Sequence, residues 1–100
     1  MGATVAITSQ AWQDLSEIID YIAKDNPSAA EQLSERLLES ALSLGKAPLV
    51  GCRIKGFPGV RMTVYGRYLI IYKVDPVQKR LLVLRFRHSA RDLGKLRLTL

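Results

Sequence analysis

The segment Arg85-Phe86-Arg87-His88-Ser89-Ala90-Arg91-Asp92 gathers the side chains of this 100-residue chain best equipped for chemistry. Arginine pairs bidentately with phosphate and carboxylate, and histidine moves protons near neutral pH. On an extended backbone Arg85 and Arg87 share a face, His88 falls where the strand should end, and Arg91 lies just beyond. Such a group suits RNA cleavage or the gripping of an acidic protein groove. Arg61, on an earlier alternating segment, is a further cation that either task could use. The plainer reading is a solubilising edge cluster, and a single histidine is more often structural than catalytic.

The charge distribution favours a binding role for this end of the chain. Residues 1–45 hold seven acids and two bases, whereas residues 46–100 hold thirteen bases and two acids, giving −5 and +11. The hydrophobic period changes at about the same place, from helical to strand-like. An acidic helical layer against a basic sheet points to a polyanionic or acidic partner on the sheet side. No apolar run reaches the roughly 18 residues of a membrane span. The first residues lack the basic region of a secretory signal. Cys52 is the only cysteine, which excludes an internal disulfide and a cysteine-based zinc cluster. One domain over residues 1–100, cytoplasmic and without metal or cofactor, is the expectation.

The elements that must position these residues can be read from spacing. Thr4–Ile7 is a short β-branched run, predicted as a first strand. Thr8 or Ser9 then caps a helix with Trp12, Leu15, Ile18, Ile19 and Ile22 on its apolar stripe, which makes Trp12 a packing anchor. Asp14, Glu17 and Asp20 fall off that stripe and are assigned to solvent. Asp25-Asn26-Pro27 stops this helix. Ser28 and Glu31 read as a capping box for a second, which buries Ala30, Leu33, Leu37, Ala41 and Leu44. The short connection makes the two helices an antiparallel hairpin.

Residues 45–59, with their glycines and prolines, read as a loop of little regular structure that carries Arg53 and Lys55. Val60, Met62 and Val64 then alternate with Arg61, Thr63 and Tyr65. Tyr68–Val74 is almost wholly apolar, as a central strand would be, with Tyr68 and Tyr72 assigned to core packing. On the last strand Leu82, Leu84 and Phe86 should share one face, and Leu81, Val83, Arg85 and Arg87 the other. The predicted architecture is α+β: an N-terminal strand and a helical hairpin packed on one face of a small antiparallel sheet, in the order β-α-α-β-β-β. The opposite face would then display Arg61, Thr63, Arg85 and Arg87 as an open basic surface.

Several stretches together resemble a known family. They are Ala11-Trp12-Gln13-Asp14-Leu15, the run from Ile18 to Pro27 with Ala29-Ala30, Tyr68-Leu69-Ile70-Ile71-Tyr72-Lys73-Val74, and Leu84 through Asp92. In this order and spacing the chain resembles the ParE/RelE superfamily of bacterial type II toxins, and more closely its ParE branch, often labelled plasmid stabilisation proteins. The resemblance implies a growth-arresting toxin neutralised by a cognate antitoxin, whose C-terminal segment wraps the toxin, commonly against the helical hairpin and a sheet edge. Ile18, Ile22 and Leu38 are the corresponding apolar surface here.

ParE-type members poison DNA gyrase, whereas RelE-type members cut messenger RNA on the ribosome. For the nuclease reading Arg61, Arg85, Arg87 and His88 would be the catalytic set; for the gyrase reading these four and Arg91 would contact the target. Pieces common in RelE-like nucleases are missing. Leu69 stands where an arginine is usual, Ser89 rather than tyrosine follows His88, and the basic half lacks glutamate. The gyrase-binding reading, with no catalytic centre, is therefore placed first. An interaction module that has lost its toxicity is the third possibility.

Overall fold

Why the chain turns into helices where it does is visible at their first residues. The computed structural model describes residues 2–89. Strand β1 (Thr4–Ile7) leads into helix α1 (Ser9–Ala23), and the Thr8 hydroxyl accepts the Ala11 amide as its N-cap. Helix α2 (Pro27–Ser43) starts differently from expectation: its cap is Asn26, whose side chain accepts the Ala29 amide, with Pro27 in the first helical position. Ser28 lies inside the first turn, so the expected Ser28–Glu31 box is replaced by this arrangement. A single 3₁₀ turn, Leu44–Lys46, follows.

The remaining strands are β2 (Cys52–Arg53), β3 (Val60–Tyr65), β4 (Tyr68–Asp75) and β5 (Arg80–His88). They form a sheet in the order β1-β5-β4-β3-β2. All neighbours are antiparallel except β1, which lies parallel to β5, so the α+β layout stands and the sheet is mixed. Gly66 has φ +58° in the tight β3–β4 turn, a conformation that glycine adopts without strain. The two-residue β2 lies in the segment expected to be irregular.

The helices and the sheet enclose a core of Ala11, Leu15, Leu37, Ala41 and Leu44 against Ile70, Tyr72, Leu81, Val83 and Phe86. Leu81, Val83 and Phe86 all point to the helices although simple alternation would separate Phe86 from the other two. A bulge accounts for this. Ile71 pairs with Arg85 and Tyr72 with Val83, leaving Leu84 without a directly opposed residue and shifting the phase of β5. The predicted grouping of Leu82 and Leu84 with Phe86 is thereby corrected.

The face away from the helices is also not the bare basic surface expected. Val60 and Ile71 are buried there, with Ile54, Phe57, Met62 and Leu84 packed against them. Arg61 and Thr63 pair with Tyr72 and Ile70, which places them on the helix-side face instead. Trp12, expected as an anchor, is 49% exposed; the buried line on α1 runs through Ala11 and Leu15, one position away.

Asp14 departs most from expectation. Only 7% exposed, its carboxylate accepts Arg85 Nε at 2.6 Å and Nη2 at 2.9 Å, together with the Phe86 amide at 3.2 Å and Gln10 Nε2 at 3.2 Å. The pairing of β1 with β5 ends at Ile7 and Val83, and α1 flanks β5 beyond that point. The Arg85 guanidinium is thus held by α1, its side chain 17% exposed. Removing one partner of a buried pair leaves the other desolvated and uncompensated. Asp14→Ala should cost about 3 kcal/mol in urea denaturation, whereas Asp20→Ala on the exposed face should change stability by less than about 0.5 kcal/mol. Equal midpoints for the two variants would show that the buried carboxylate contributes nothing.

Candidate functional site

His88 closes β5 directly opposite Tyr68, the first residue of β4. Their rings meet edge to face, centroids 5.2 Å apart at 89°. Ile18, Tyr21 and Ile22 of α1 complete a small cleft of about 80 Å³ around this pair. His88 therefore lies on the helix side, next to two residues of the expected antitoxin surface. Of that surface, Ile18 and Leu38 are half-buried against the main core, and Ile22 is half-buried at the cleft. The apolar side chains most exposed on the hairpin are Trp12, Tyr21 and Leu42, of which the helical stripe of α1 leaves out Tyr21.

Arg61 belongs to the other end of the sheet. Its Nη1 donates to the Gly51 carbonyl at 2.8 Å and the Leu49 carbonyl at 3.3 Å, tying the segment before β2 to β3. Beside it the buried Tyr72 hydroxyl accepts the Gly51 amide at 2.9 Å. A Cβ on Gly51 would lie 2.6 Å from that hydroxyl and 2.7 Å from the Met62 carbonyl, so this close approach requires glycine.

The proposed catalytic set is consequently spread out. Arg61 pairs with Tyr72, four residues along β4 from the Tyr68 that faces His88, a separation of roughly 13 Å along the strand. Arg87 pairs with Leu69 on the face away from the helices, and Arg85 is held by Asp14. Arg91 lies outside the described residues. Among the described residues no group of three or more His, Cys, Asp or Glu side chains could hold a metal ion. No helix among them is long and apolar enough to cross a membrane.

The described residues thus form a two-helix hairpin over a five-stranded mixed sheet. The chain belongs to the ParE toxin family of type II toxin-antitoxin systems (parDE), whose model matches residues 5–93. Among curated proteins, none matches this sequence. Among solved structures it is similar to the RelBE2 toxin-antitoxin complex of Mycobacterium tuberculosis, with TM-score 0.68 and 25% identity over 88% of this chain and 99% of the other. The chromosomal ParDE system of P. aeruginosa gives TM-score 0.72 and 22% identity over 86% and 95% of the two chains. A double mutant of E. coli toxin RelE, in complex with an antitoxin RelBc peptide, gives 0.57 and 14% over 100% and 99%. The second and third likenesses are of fold.

Sequence reasoning singled out Arg85 for its charge and missed Asp14 as its partner. The available signal was the position of Asp14 directly before Leu15, at the border of the apolar stripe. A neutral pair separates an architectural Arg85 from one whose charge meets a target. The double variant Asp14→Asn/Arg85→Gln keeps an amide acceptor for the Phe86 amide and removes both charges. It should remain folded and retain toxicity when expressed alone. Folded protein with toxicity abolished would make the Arg85 charge a contact residue.

Proposed function

We propose that this chain is the growth-arresting toxin of a toxin–antitoxin pair and that it acts by binding DNA gyrase, without catalysis of its own. The observation that carries this reading is the dispersal of Arg61, Arg85, Arg87 and His88 over two sheet faces and two ends of the strands. RNA cleavage needs a proton carrier and cations gathered within hydrogen-bonding reach of one phosphate. Arg61 holds backbone carbonyls and Arg85 holds Asp14, and the His88 ring packs on Tyr68. A protein-binding toxin needs no such convergence, only a stable surface.

A cognate antitoxin fits the same fold, since the neighbouring structures are toxin–antitoxin complexes. The exposed Trp12, Tyr21 and Leu42, with half-buried Ile18, Ile22 and Leu38, give the hairpin an apolar surface for it.

The reading is tested with purified gyrase and supercoiled plasmid. The chain should inhibit supercoiling and accumulate cleaved plasmid, and His88→Ala should do both as well as the parent. Absence of any effect on gyrase, together with codon-spaced cuts in translated messages that disappear in His88→Ala, would replace this reading with the ribosome-dependent nuclease.

A further inference from the structure

The end of the sheet opposite His88 carries a groove that none of these roles uses. Two adjoining clefts, of about 430 and 650 Å³, meet at Leu49, Val74 and Pro76, which line both and make them the two halves of the groove. Its apolar lining includes Ala3, Pro48, Val50, Ile54 and Phe57. Leu49 and Val50 are each 65% exposed, beside Ile54 and Phe57, which pack against the buried Val60 and Ile71. The rim is cationic: Lys46 and Lys79 on one side, Arg53 and Lys55 on the other. None of these four has an ion-pair partner among the described residues. The one acid in the lining, Asp75, accepts the Val77 and Gln78 amides of its own turn.

One wall of the groove is braced by the fold itself. Arg61 clips the Leu49 and Gly51 carbonyls, and Tyr72 holds the Gly51 amide, so the Pro48–Gly51 wall is anchored to β3 and β4. Pre-organisation of this kind lowers the ordering cost of association.

We propose that this groove docks an acidic segment of gyrase bearing apolar side chains; the inference rests on the gyrase reading above and assigns its contact surface. An apolar floor inside a charged rim is the anatomy of a protein–protein contact, and four cations without an ion-pair partner among the described residues select a partner of opposite sign. A nucleic-acid strand fits less well. The floor is aliphatic apart from Phe57, so successive bases would find no stacking platform, and the guanidinium of Arg61 is already committed to carbonyls. The surface is separate from the hairpin, which leaves the hairpin to the antitoxin.

The test uses the full chain with purified gyrase, the antitoxin encoded beside it, and two variants of exposed residues, Lys55→Glu and Leu49→Ser, with Lys24→Glu on the hairpin as control. Each groove variant should bind gyrase at least about tenfold more weakly and accumulate correspondingly less cleaved plasmid. Thermal midpoint and antitoxin affinity of the groove variants should match the parent, and Lys24→Glu should match the parent in gyrase binding and in cleaved plasmid. A parent that poisons gyrase, with groove variants equally potent, would overturn the assignment and leave the gyrase reading standing. A parent inert on gyrase would overturn both. Loss of antitoxin binding in the groove variants would give the surface to the antitoxin. A parent dimer that becomes monomeric in the variants, at unchanged potency, would give it to a second copy. Binding of a labelled oligonucleotide lost in the variants, again at unchanged potency, would give it to nucleic acid.

Discussion

The Asp14 carboxylate joins the helical layer to the last strand, and the arrangement of β5 depends on it. β1 is only four residues long, so its parallel pairing covers β5 no further than Val83. Beyond that point the strand would present an open edge with unsatisfied amides, a hazard in any sheet. α1 occupies the position instead, and Asp14 accepts the Phe86 amide as a neighbouring strand's carbonyl would. A carboxylate taken from water to do this needs a counter-charge, which Arg85 supplies in bidentate form. Thr8 fixes the start of the same helix by donating its hydroxyl to the Val83 carbonyl, so α1 is tied to β5 at two places along the strand.

The bulge at Leu84 belongs with this arrangement. By shifting the phase of β5 it turns Phe86 into the main core while Leu84 joins Val60 and Ile71 on the other side. The sheet is therefore apolar on both faces over its middle, and its cations are displaced to ends, edges and rims. The charge asymmetry between the two halves of the chain is in part an internal bond, because Asp14 comes from the acidic half and Arg85 from the basic one.

Periodicity made the main elements legible. Both helices, a cap at Thr8 or Ser9 (Thr8 in the structure), the buried run Leu69–Tyr72 and the N-terminal strand follow from residue pattern, because each rests on local spacing or capping. What spacing left open were choices between near-equal alternatives decided by tertiary contact. On α1, Trp12 and Ala11 compete for the same stripe, and the small residue goes inward where helix and sheet approach closely. Before α2, Asn26 and Ser28 are both good caps, and Pro27 decides, since its fixed φ suits the first helical position. The bulge carries no local signature: Leu82-Val83-Leu84 would sit equally well in either phase, and only the pairing with Tyr72 and Ile71 selects one. The partner of Arg85 was illegible for the same reason, lying 71 residues away.

These constraints bear on how such a small protein can act. A nuclease needs its cations and proton carrier held together to within a fraction of an ångström, with supporting bonds behind each. In this chain the supporting bonds go elsewhere. Asp14 orients Arg85 toward the helix–strand seam, and Arg61 braces a loop rather than facing a phosphate site. The loop it braces becomes a rigid wall beside exposed Leu49 and Val50, ringed by lysines and arginines without acidic partners among the described residues. Rigid apolar surface with an unsatisfied charged margin is useful to a binder and gives a catalyst no advantage. Arg61 and Arg85, which make the sequence resemble a catalytic cluster, hold the fold and its wall in place, and on the proposed reading it is the preformed surface that meets a target.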